Sequence, residues 1–145
     1  MRRPGNELKI ARRYFSEADV AAIERETDEE ARRNLFVRMW TLKEAYVKAI
    51  GRGIGAPPGL SSFGFDLVHG DDGDQSIVFR PGDNEPGRHS AWSFRLLAPA
   101  DGTLAALCLK RDSTDQGHAP TIVATQHHAT LADFDLSSIL KAVSI

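Results

Sequence analysis

The 145-residue chain has one cysteine, two methionines, two tryptophans and two tyrosines. A lone Cys108 excludes an intrachain disulfide and fits a reducing compartment. It sits in the apolar run Leu104–Leu109, where it reads as a small core residue, not a nucleophile. No apolar stretch is long enough to span a bilayer, and no signal-peptide pattern opens the chain, so a cytoplasmic location is the expectation. Charge is nearly balanced, at −2 net, which gives no general reason to expect nucleic acid or an anionic membrane as partner. Internal repeats and low-complexity blocks are lacking too.

What is present is ordinary for one globular domain: 41% hydrophobic and 26% charged residues, enough to bury a core without disulfides or structural metal. Charge is nonetheless uneven. Arg2, Arg3, Lys9, Arg12 and Arg13 make a basic amino end, and Asp71, Asp72 and Asp74 cluster in a turn. The basic end reads as solvated surface, with phosphate or an acidic protein as the alternative.

The first half is patterned for helices and the second for strands. Ser16 followed by Asp19 resembles a capping box opening a helix through Val20, Ala21 and Ile23. From Asp28 to Ile50, Leu35, Met39, Leu42, Tyr46 and Ala49 recur by four and three. Phe36, Trp40, Val47 and Ile50 widen that face, and Gly51 supplies a stop. Residues 51–59 carry four glycines and two prolines and read as a loop. Strands are predicted at Ser62–Val68, Ser76–Arg80, Ser90–Leu97 and Thr103–Arg111, with turns at Asp71–Asp74 and Asp101-Gly102. The expected fold class is α+β, with the long helix packed on an antiparallel β-sheet meander. Residues 1–112 would form the domain, and 113–145 an extension with a polar linker, a short edge strand at Thr121–Thr125 and a helical turn at Leu136–Val143.

The stretch Trp40-Thr41-Leu42-Lys43-Glu44-Ala45-Tyr46-Val47-Lys48-Ala49-Ile50-Gly51 is the most informative. Trp40, Glu44 and Lys48 are spaced by four along one helical stripe, and Lys43 flanks it. A carboxylate between ammonium groups could hold a divalent cation and a polyphosphate, since magnesium takes hard oxygen ligands and lysine serves phosphate as a point charge. The plain alternative is a solvated Glu44–Lys48 helix pair worth roughly 0.2–0.5 kcal/mol, with Trp40 in the core. Spacing permits the phosphate site without demanding it.

The pattern W-[ST]-x-K-E-[AS]-x-x-K-x-x-G is similar to the signature of the larger, pseudo-dimeric 4′-phosphopantetheinyl transferases, and Trp40, Thr41, Lys43, Glu44, Ala45, Lys48 and Gly51 fall on it. Ala11–Ser16 resembles the family's helix ending in an aromatic pair, and Gly53 with Pro57–Leu60 resembles its following loop. The likeness runs from Pro4 to Arg111, the extent of a C-terminal half. It implies transfer of the 4′-phosphopantetheine arm of coenzyme A to a serine of an acyl or peptidyl carrier protein, with 3′,5′-ADP leaving. It implies Glu44 as a magnesium ligand, Lys48 at the reacting phosphate as base or charge stabiliser, and Lys43 near the coenzyme A phosphates. Trp40 is assigned mainly to packing.

The chain also departs from the family. A strand reading Gly-[IV]-Asp-[IVL]-Glu, source of the other metal carboxylates, is expected before Arg2 and is absent, as is the amino-terminal half. Weak or no independent catalysis is therefore expected, from a shortened enzyme, a remnant, or copies associating as a homo-oligomer. A module that binds carrier protein or coenzyme A without turnover is the alternative. The remaining signals read as structure: a plain turn at Gly51–Gly55, exposed His127-His128, core Trp92 and Phe94, and a loop pair Asp133 and Asp135.

Overall fold

A computed structural model describes residues 6–52, 59–71, 75–83, 91–98, 103–111 and 122–128. Three helices lead: α1 (Asn6–Tyr14), α2 (Glu17–Arg25) and α3 (Glu29–Ala49). After a single 3-10 turn at Leu60–Ser62 come the strands β1 (Phe63–His69), β2 (Gln75–Pro81), β3 (Ala91–Leu97), β4 (Leu104–Arg111) and β5 (Ile122–His128). The helical termini follow the residues marked for them in the sequence. Ser16 Oγ accepts the Asp19 N–H at 3.3 Å, and Asp28 Oδ2 accepts the Ala31 N–H at 2.8 Å. Gly51 adopts φ +70°, which lets its N–H reach Lys48 O (3.1 Å) and the Arg52 N–H reach Val47 O (2.8 Å). That pair of bonds is the Schellman closure, and it satisfies carbonyls the helix end leaves open.

The strands form two antiparallel ladders, β1-β2 and β3-β4-β5, where one meander was expected. Pro81, with no N–H to donate, closes β2, and the join to β3 is made by rings, with Phe79 and Phe94 5.3 Å apart. The edge strand expected at Thr121–Thr125 is β5, paired with β4 from Leu104↔His128 to Leu109↔Ile122 with an irregularity at Cys108/Leu109. Residues 72–74 of the turn predicted at Asp71–Asp74, the turn at Asp101-Gly102 and the helical turn at Leu136–Val143 lie outside the described residues.

Two aromatic groups make the core. Phe15, Phe36 and Trp40 stack with centroids 5.3–6.1 Å apart. Tyr46 meets Phe63, Phe79 and Trp92 at 4.7, 4.8 and 5.5 Å, and Phe94 lies against Phe65 at 4.8 Å, so the strand positions expected in the core are there. From Phe36 to Val47 almost every side chain of α3 is buried, polar ones included, so this half of the helix is wrapped on all sides.

Between the two aromatic groups sits a charge. Lys43 is 0% exposed, with its ammonium 5.0 Å from the Phe15 ring and 4.5 Å from the Phe63 ring. It donates to Leu60 O (2.8 Å) and Phe63 O (2.6 Å) and lies 2.8 Å from Asp19 Oδ2. The Oδ2 contact is ionic, without the direction of a hydrogen bond. Asp19 Oδ1 accepts from the Phe65 N–H (3.1 Å) and Arg80 Nη2 (2.7 Å), and Arg80 Nε reaches Asp66 at 2.8 Å. Gly64 makes room for this cluster: a Cβ there would stand 2.7 Å from Asp19 Oδ1 and 2.9 Å from Ser16 Oγ.

Removing one member of a fully buried pair leaves a charge without its counterion, at a cost of about 3–5 kcal/mol. Asp19→Ala is expected to lose that much stability in urea unfolding. The double change Asp19→Leu with Lys43→Met should cost less than the two single changes summed, which an additive result in a double-mutant cycle would contradict.

Candidate functional site

The helix that carries the Trp40–Gly51 motif gives its polar residues different surroundings. Lys43 and Glu44 are about 100° apart around the axis. Lys43 turns toward β1, where it donates to Leu60 O and Phe63 O and its charge meets Asp19. A phosphate contact by this ammonium would require opening the buried pair. The sequence pattern did not single out Asp19 as its partner. Its signal was the capping-box position, but only the Ser16 half of that box forms, and the Asp19 carboxylate is spent on Lys43, Arg80 and β1.

Glu44 is 6% exposed, so it is not half of a solvated surface pair. The Trp40 indole N–H, one turn earlier, donates to Glu44 Oε1 at 2.8 Å. Trp40 therefore has two roles, stacking on Phe15 and Phe36 and fixing the orientation of the carboxylate. Lys48, one turn later and exposed, contributes a positive charge to the same stripe. Burial pushes the Glu44 carboxyl above its ordinary value, while the Trp40 hydrogen bond and the Lys48 charge pull it back without cancelling the shift. A desolvated carboxylate with hydrogen-bonding capacity left on its oxygens is a hard-ligand donor that a cation would stabilise. Among the described residues no group of three or more His, Cys, Asp or Glu side chains comes together to complete a metal shell. Glu44 fits magnesium as one ligand, not as a whole site.

Other residues raised by the sequence are placed as follows. Lys9, Arg12 and Arg13 are exposed on α1, with Arg12 paired to Glu24 at 2.7 Å and Arg13 stacked 5.2 Å from the Tyr14 ring. Arg2, Arg3, Asp133 and Asp135 lie outside the described residues, and His127 and His128 end β5 opposite Ala105 and Leu104. Cys108 is fully buried in β4. No helix among the described residues is long and apolar enough to cross a membrane.

A helical layer on antiparallel strands, with a Trp–Glu–Lys stripe on the long helix, agrees with the comparisons made on the sequence. The family model of the 4′-phosphopantetheinyl transferase superfamily matches residues 1–108, and the chain belongs to that superfamily. A protein of Synechocystis sp. (strain PCC 6803) provisionally named as a 4′-phosphopantetheinyl transferase is 45% identical over 47 residues, covering 32% of this chain and 19% of its own length. The 4′-phosphopantetheinyl transferase of Aneurinibacillus migulanus is 29% identical over 80 residues, covering 55% of this chain and 31% of its own length. The matched stretches thus span a fifth to a third of these relatives. No solved structure matches the chain significantly.

Two outcomes follow from the titrating groups. Because the folded-state pKa of Glu44 is raised, its stabilising contribution is present in acid, below the unfolded value, and is lost as pH rises through the folded value. Glu44→Gln should therefore gain in urea midpoint over the parent chain as pH goes from about 4 to 7.5, and a constant difference would contradict the assignment. Burial pushes the Cys108 thiol up to about 12, so roughly one part in ten thousand is thiolate at pH 8. Ellman's reagent is expected to label it only after unfolding.

Proposed function

We propose that this chain is the part of a 4′-phosphopantetheinyl transferase that carries Glu44 and Lys48 to the reacting phosphate, in transfer of the phosphopantetheine arm from coenzyme A to a carrier-protein serine. The observation that supports this best is the buried Glu44 carboxylate, held at 2.8 Å by Trp40 and flanked by the exposed Lys48.

Magnesium, when bound, would take Glu44 as one ligand and neutralise phosphate charge, its other ligands being coenzyme A phosphates and carboxylates beyond the described residues. Trp40 keeps one carboxylate oxygen engaged, so the orientation of the other is fixed before substrate arrives. Lys48, exposed on α3, can follow the transferring phosphate or take the serine proton; either role uses its position one turn beyond Glu44. Lys43 serves the phosphates indirectly in this reading, by locking α3 against β1. The exposed basic face of α1, with Lys9 and Arg13, is offered to an acidic carrier protein. Activity of the chain by itself is expected to be weak, or to need a second copy or an upstream half.

A second reading, a module that binds coenzyme A or carrier protein without turnover, is favoured by one observation: the described residues bring no group of three or more His, Cys, Asp or Glu side chains together to hold a metal. Mass spectrometry of an apo carrier protein incubated with the chain, coenzyme A and magnesium separates the two. A phosphopantetheine mass gain that falls at least a hundredfold in Glu44→Gln supports the transferase. Absence of a gain even after addition of an upstream half would leave the binding module.

A further inference from the structure

The outer edge of β1 is closed along one half and open along the other. In the antiparallel β1–β2 ladder, backbone groups of alternate residues face away from β2. The Phe65 N–H points outward to Asp19, so the outward set is residues 63, 65, 67 and 69. At the first two, side chains take the place of a neighbouring strand: Lys43 on Phe63 O, Asp19 on the Phe65 N–H and Arg80 on Phe65 O (3.2 Å). At Leu67 and His69 the edge instead looks into a groove of about 690 Å³ between β1 and helices α2 and α3.

Leu35 and Met39 give this groove an apolar wall, and Val68, 50% exposed, stands on the neighbouring face of the strand. Two guanidiniums line it. Among the described residues neither Arg25 nor Arg38 forms an ion pair with a carboxylate, and Arg38 reaches the Gln75 amide oxygen only at 3.4 Å. Of the two acids in the lining, Asp66 is already held by Arg80. Glu26 is left to balance Arg25 and Arg38, and the groove is positive on balance.

We propose that this groove binds an extended, acidic segment of a partner protein, which adds a strand to β1 at Leu67 and His69 and sets its carboxylates against Arg25 and Arg38. Main-chain bonds to an exposed edge supply affinity in this mode, and pockets for alternate side chains supply selectivity. The proposal does not depend on the transferase reading, since the groove lies on β1 and the first half of α3, away from Glu44 and Lys48 in sequence. A second copy of the chain is a poorer occupant, because it would set the same two guanidiniums against each other across a two-fold axis.

The test uses the full chain and three labelled seven-residue peptides: valine alternating with glutamate, valine alternating with lysine, and the glutamate peptide N-methylated at alternate residues. The glutamate peptide is expected to bind by fluorescence anisotropy and to slow amide exchange at Leu67 and His69. The lysine and N-methylated peptides should bind at least about tenfold more weakly. Arg38→Glu, and independently Arg25→Glu on an exposed side chain, should each cost the glutamate peptide about tenfold. Equal binding of all three peptides, absence of binding by any, or unchanged exchange at Leu67 and His69 would overturn the proposal. So would a dimer of the free chain that Val68→Lys dissociates, which would make a second copy the occupant.

Discussion

A charge placed between two aromatic groups organises this structure. Lys43 has no exposure to water, and only the set of partners around it makes that tolerable: a carboxylate from α2 and two carbonyls from the chain entering and beginning β1. The same carboxylate takes the β1 backbone and Arg80, so one aspartate fixes helix to helix and helix to strand. Apolar side chains in these positions could give equal stability, but they would not specify which edge of which strand meets α2. Gly64 is part of the arrangement, since a side chain there would strike Asp19 and Ser16.

Glu44 is the neighbour of Lys43 in sequence and its opposite in circumstance. Lys43 is surrounded by oxygen acceptors, whereas Glu44 has one indole N–H and the more distant charge of Lys48. Burial therefore leaves Glu44 short of positive partners and Lys43 well supplied. Two adjacent residues of a common motif thus divide the work, one securing the scaffold and the other keeping its capacity for a ligand. That division lets a helix so fully enclosed keep a carboxylate oriented by Trp40 beside an exposed lysine.

Much of the fold was legible because its cues are local. Capping residues Ser16 and Asp28, the Gly51 stop and the alternation of Phe63, Phe65 and Leu67 each act within a few residues, and each marks an element found in the structure. The family was legible in the pattern around Trp40–Gly51, and the α+β class in helices followed by antiparallel strands. Long-range facts were not legible. Nothing in the spacing of Lys43 and Glu44 says which one faces β1, and Asp19 looked like half of a capping box because its true partners lie up to 61 positions away. The break between β2 and β3 was missed for the same reason: it depends on where two sheets meet, not on the strands themselves.

Those separations also bear on how the chain assembles. The contacts of Lys43 with Leu60 and Phe63 close loops of 17 and 20 residues, and those of Asp19 with Phe65 and Arg80 close loops of 46 and 61. Until β1 arrives, α2 and α3 must hold their charged side chains in water, and the burial that later makes them stabilising opposes early docking of the helices. Secondary structure can form first and the Phe15–Phe36–Trp40 stack can join the helices, but the Asp19–Lys43 pair has its full set of partners only once β1 docks. Helices and sheet therefore have reason to consolidate in one step, with β1 as the late arrival that commits the chain to its final form.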